Sequence, residues 1–62
     1  MTKEEQIKEV AKAIGHTKRC IFRKERMLVD MSPSDSEYLD VLDALEELYT
    51  TEALLIKSME AL

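Results

Sequence analysis

The stretch VAKAIGHTKRCIFRKER, from Val10 to Arg26, holds the only glycine of the chain. Its flanks are good helix formers, and a glycine inside a helix costs ~1 kcal/mol relative to alanine. Gly15 therefore poses a choice of fold: one long helix carries it, or two short helices turn at it. As a single helix over residues 3–29, the segment sets Ile7, Ile14, Ile21 and Leu28 seven apart, the spacing of one coiled-coil seam. That arrangement also aims Lys18 and Glu25 into the apolar face, within ~20° of Ile7 at 100° per residue. As two helices, Gly15 takes the left-handed conformation that ends the first, and Thr17 caps the second. Lys18 then turns outward, while Glu25, one turn after Ile21, stays on the apolar side.

Working outward, Thr2-Lys3-Glu4-Glu5 is a capping box, so the first helix starts near Lys3. Ile7, Val10, Ala11 and Ile14 follow at helical spacing. A second helix start lies in Ser32-Pro33-Ser34-Asp35-Ser36-Glu37. Ser32 is placed to cap with Pro33 first and Asp35 third, and Ser34 with Glu37 is an overlapping alternative. Beyond it, Tyr38, Val41, Leu42, Leu45, Leu48, Tyr49, Leu55, Ile56, Met59 and Leu62 recur at helical spacing, with no glycine or proline among them. This C-terminal helix predicts a core and dimerisation element, with Val41, Leu45, Leu48, Leu55 and Met59 at its centre. Glu52 falls near the middle of that face, where it calls for a pairing partner.

The expected fold is all-α over a single domain, 1–62. Two layouts stand open. One is a helix-turn-helix with helices at about 3–14 and 17–29, followed by a long dimerisation helix at 33–61. The other is an antiparallel hairpin of 3–29 and 33–61 that pairs into a four-helix bundle. A 62-residue chain buries only ~60% of its unfolded surface, so association is expected to supply what the core lacks. Cys20 is the sole cysteine, which excludes an internal disulfide, and no cysteine–histidine cluster offers a metal site.

Charge divides sharply along the chain. Residues 1–29 carry eight Lys/Arg against four Glu, while residues 30–62 carry nine Asp/Glu against Lys57 alone. The overall charge of −4 thus conceals a basic half suited to a polyanionic partner. The longest apolar run, Ala53 to Ile56, falls far short of the ~20 residues of a membrane helix, and the charged N-terminus is no secretory signal. A cytoplasmic setting without membrane contact is expected.

Ala11, Gly15 four residues on and Ile21 six further, with Val10 and Ile14, form a helix-turn-helix pattern. Together with the segment Gly15 to Lys24, residues 7–28 resemble the bacterial DNA-binding domains of Fis and NtrC type. The resemblance implies outward positions at Thr17, Lys18, Arg19, Phe22, Arg23 and Arg26. It also implies a basic second helix docked in the major groove by a dimer, as in transcription regulation. His16 and Glu25 stand where those domains carry aliphatic residues. The opening Met1-Thr2-Lys3 and the run Glu47-Leu48-Tyr49 resemble the Rop family, plasmid RNA-binding dimers of helical hairpins, which implies the hairpin layout.

No Ser/His/Asp or Cys/His set, phosphate-cradling loop or cofactor motif occurs, so neither an enzyme nor a cofactor is expected. His16 has no companion at ligand spacing and reads as a turn residue; Cys20 reads as a small filler. The pairs Asp40/Asp43 and Glu46/Glu47 read as a solvated acidic face. Alongside DNA and a second copy of the chain, the alternative partner is a protein. A hairpin regulator would engage it through the acidic helix, with Leu39 and Leu54, or use that helix to mimic DNA.

Overall fold

A computed structural model describes residues 1–62, and it holds two helices, α1 (Lys3–Asp30) and α2 (Tyr38–Ala61), packed against each other as a hairpin. The Cα envelope is a rod of 48 × 14 × 14 Å. The expected turn at Gly15-His16 is absent: α1 runs unbroken through both residues, and no residue of the chain has a positive φ. The fold is therefore the hairpin layout, not helices at 3–14 and 17–29. A glycine amid strong helix formers simply adopts their conformation when the partner helix supports both sides of it.

The start of α1 follows the capping box. Thr2 is extended, and its hydroxyl accepts the Glu5 amide hydrogen at 3.2 Å. Glu4 and Glu5 place negative charge at the positive end of the helix dipole. At the other end Met31 turns extended at ψ 145°, its amide donating to the Leu28 carbonyl at 3.2 Å, and Pro33 prevents continuation.

The second helix starts later than its sequence signals suggest. Ser32 and Asp35 do bond each other, but as a turn: the Ser32 amide donates to the Asp35 carboxylate at 3.1 Å, and the Asp35 amide donates to the Ser32 carbonyl at 2.9 Å. The Ser34 amide donates to the Ser32 hydroxyl at 3.3 Å. Cap chemistry spent inside residues 32–35 leaves α2 to begin at Tyr38, behind Glu37, which makes no side-chain cap bond. The expected start at residue 33 is thus five residues early.

Burial follows a three–four alternation on both helices. On α1 the sheltered residues include Val10, Ile14, Thr17, Ile21, Lys24 and Leu28, then Met31 beyond its end, with Ala13, Gly15 and Cys20 half-buried outside that alternation. On α2 they include Tyr38, Val41, Leu45, Leu48, Glu52, Leu55 and Met59, then Leu62, with Ala44 half-buried beside them. This is the heptad seam of a coiled coil, one per helix. Counted outward from the turn, the two rows have matching spacing: Leu28 and Val41, Lys24 and Leu45, Ile14 and Leu55, and Val10 and Met59 stand at equal chain distances from it.

The centre of the α1 seam lies between the row of Ile14 and the row of Thr17. Lys18 and Glu25 therefore sit exposed at its edge, and Lys24 takes the half-buried place. Only Ile21, Val41 and Leu45 among the apolar residues are buried, each still 4–7% exposed. Leu48, Leu55 and Met59 are half-buried members of the same seam. No helix is long and apolar enough to cross a membrane.

Candidate nucleic-acid interface

Because α1 is continuous, its outward side is one surface. Between Lys12 and Arg26 the chain carries six Lys/Arg against Glu25 alone. Lys12, Arg19 and Arg26 are seven apart and all exposed, so they form a row along the back of the helix, with Arg23 beside it. At 1.5 Å per residue the row spans about 21 Å, roughly six base-pair steps of duplex DNA. Lys18 and Phe22 flank it, and Lys18, Arg19, Phe22 and Arg23 line one shallow groove. Phe22 is 62% exposed, and the Arg26 guanidinium carbon lies 5.9 Å from its ring centroid, within cation–π range.

Five of the six residues expected to face a nucleic acid are thus exposed together: Lys18, Arg19, Phe22, Arg23 and Arg26. Thr17 is not among them. It is buried against α2, and its hydroxyl donates to the Ala13 carbonyl at 2.8 Å, one turn back in the same helix. With no turn before it, Thr17 has no helix N-terminus to cap. Lys12 was legible as a partner of Arg19 and Arg26 from its spacing alone, yet it fell outside the motif that selected the others.

The back of α2 has the opposite sign. Asp40, Asp43, Glu46, Glu47 and Glu60 are exposed there, and Leu54, at 60% exposure, lies on the same back among Thr50, Thr51, Lys57 and Ser58. At the flank between the helices, Glu25 of α1 comes near Tyr49 of α2. Desolvation first, then the carboxylates of Glu25 and Glu52, raises the Tyr49 phenol above its ordinary pKa of about 10. On the α1 side the Cys20 sulfur lies 3.6 Å from His16 Nε2. That pair lacks a third group, and no set of three His, Cys, Asp or Glu is placed to hold a metal ion. Comparison with protein-family models, with curated proteins and with solved structures finds no match to this chain.

Proposed function

We propose that this chain is a non-enzymatic DNA-binding protein that lays the back of α1 along the duplex. The observation that carries the reading is the unbroken exposed row Lys12–Arg19–Arg26, with Arg23 beside it, on a chain whose net charge is −4. The helix-turn-helix geometry plays no part in it. Continuous basic helices also occupy the major groove, where arginine reads guanine O6 and N7 and other cations hold phosphates. The acidic back of α2 points the other way and orients the protein by repelling the phosphates.

The test is fluorescence anisotropy of a mixed-sequence duplex at several salt concentrations, with an Arg19→Glu/Arg23→Glu variant beside the native chain. Four phosphate contacts give a slope of log K against log salt near −3.6, at ~0.9 per contact. The variant is expected to lose binding at every salt concentration. Absence of binding by the native chain at low salt overturns the reading.

A second reading has one observation in its favour. Leu54 stands 60% exposed on the back of α2 among Thr50, Thr51, Lys57 and Ser58, an apolar side chain that a protein partner would cover. Loss of partner capture on Leu54→Glu, with DNA binding absent, is the result that would favour it.

A further inference from the structure

The hairpin covers one seam on each helix, but α2 carries a second. Leu39, Leu42, Tyr49, Ala53 and Ile56 repeat the three–four alternation on the neighbouring flank, the vacant steps falling at Glu46 and Glu60. All are exposed, Leu39 at 69%, Tyr49 at 46% and Ile56 at 40%. At 100° per residue this row lies about a quarter-turn around the helix from the first, the angle a helix needs to meet two neighbours of a square bundle. The nearness of Glu25 to Tyr49 fixes which flank of α1 lies beside it.

We propose that a second copy of this chain docks on this flank, α1 of each copy lying antiparallel on α2 of the other. The flank of α1 runs in the same alternation, and four of its seven steps match the α2 row in character, the other three setting Lys18 against Tyr49, Phe22 against Glu46 and Glu25 against Leu42. Lys8 meets Glu60, opposite in charge. Val29 meets Leu39 and Ala11 meets Ile56, both apolar. Gly15 meets Ala53, the two smallest side chains on either row.

The intermolecular pairing therefore repeats the antiparallel sense and register of the hairpin itself, and it sets the basic half of one copy against the acidic half of the other. The alternative two-fold, α2 on α2, brings acid against acid. A flank as large as the whole 48 × 14 Å envelope is ~670 Å², so pairing removes at most about 1,300 Å² in total, the low end of the ~1,200–2,000 Å² of specific interfaces.

The pairing also restricts position 15 to a small side chain. Inside one hairpin nothing requires a glycine, because a β-carbon there meets only the tip of Arg19 at 3.9 Å. In the dimer that bare stretch of α1 is where the opposing helix comes closest. Lys18 and Phe22 fall within this contact row, while Lys12, Arg19, Arg23 and Arg26 remain outward.

Sedimentation equilibrium from micromolar to near-millimolar protein tests the inference. The native chain is expected to be a dimer. Gly15→Leu and Ile56→Glu are each expected to raise the dimer Kd at least tenfold, and Leu54→Glu, on the opposite side of α2, to leave it unchanged. Gly15→Leu cannot fail merely by unfolding the hairpin, since leucine is a better helix former than glycine and the space above position 15 is open; circular dichroism verifies retained helix.

A monomeric native chain, a Gly15→Leu dimer of native affinity, or sensitivity at Leu54 in place of Ile56 each overturns the proposal. In a Cys20→Ser background, mixing Gly15→Cys with Ala53→Cys chains is expected to give the mixed disulfide. Efficient self-crosslinking of either chain alone overturns the α1-on-α2 pairing.

Discussion

Replacing Gly15 by alanine is the sharpest probe of the continuous helix. The residue is helical, its φ is not positive, and the added methyl meets only the flexible end of Arg19 at 3.9 Å, an ordinary van der Waals contact. No strain opposes the change, so the propensity difference of ~0.5–1 kcal/mol is expected as net stabilisation, part of it through a less flexible unfolded chain. In a domain of this size 1 kcal/mol moves Tm by about 4–8 °C, so a rise of about 2–8 °C is expected. Urea and thermal unfolding followed by far-UV circular dichroism measure it, both proteins being held at the same concentration because association shifts apparent stability. An alanine at position 15 is small enough to be accepted opposite Ala53. If Gly15→Ala instead lowers stability or helix content, the backbone at position 15 is not helical, and the chain turns there.

Leu45→Ala truncates a side chain only 4% exposed and is expected to cost ~2–5 kcal/mol, enough to unfold most of a scaffold whose core supplies only ~3–5 kcal/mol; urea unfolding reads this out. Thr17→Val, at a position where the hydroxyl bonds only its own helix, is expected to leave DNA affinity within about twofold and stability within about 1 kcal/mol of native; a large loss of affinity would return Thr17 to the interface. Tyr49→Phe tests the raised phenol. A group whose pKa is higher folded than unfolded contributes stability that is complete below the unfolded value near 10 and lost as pH rises through the folded value. Stability against pH should therefore fall less steeply above pH ~10 in Tyr49→Phe than in the native chain, Tyr38 being common to both.

Much of the hairpin is written in local chemistry. Thr2 with Glu5 marks a start that only a helix uses, and the long apolar repeat from Tyr38 can be little else than a helix. The errors fall where one chemistry serves two geometries. Ser32 and Asp35 satisfy each other equally well as a helix cap or as a closed turn, and Pro33 fits both, so only the helix packing decides where α2 begins. Gly15 likewise ends a helix or rides within one, and the distinction depends on whether α2 covers both sides of it.

The four residues Ile7, Ile14, Ile21 and Leu28 mark only one row of the seam. Its other row contains Thr17 and Lys24, which hydropathy does not select, and the centre of the face was displaced accordingly. For the candidate interface the charges of Lys18, Arg19, Arg23 and Arg26 were legible as they stand. The removal of Thr17 from that surface was not, because its burial depends on the continuity of the helix.

The six residues Ser32–Glu37 have a kinetic consequence. Every contact between the helices spans a length of chain that grows with distance from this turn, from Met31 facing Tyr38 to Val10 facing Met59. Loop-closure entropy rises with that length, so the pairs nearest the turn form first and the others zip on behind them. Substitutions at Leu28 or Val41 should then slow refolding, whereas substitutions at Val10 or Met59 should mainly hasten unfolding, a split visible in the two arms of a chevron plot. A turn that ties its own backbone down with Ser32 and Asp35 thereby sets the pace at which the whole rod assembles.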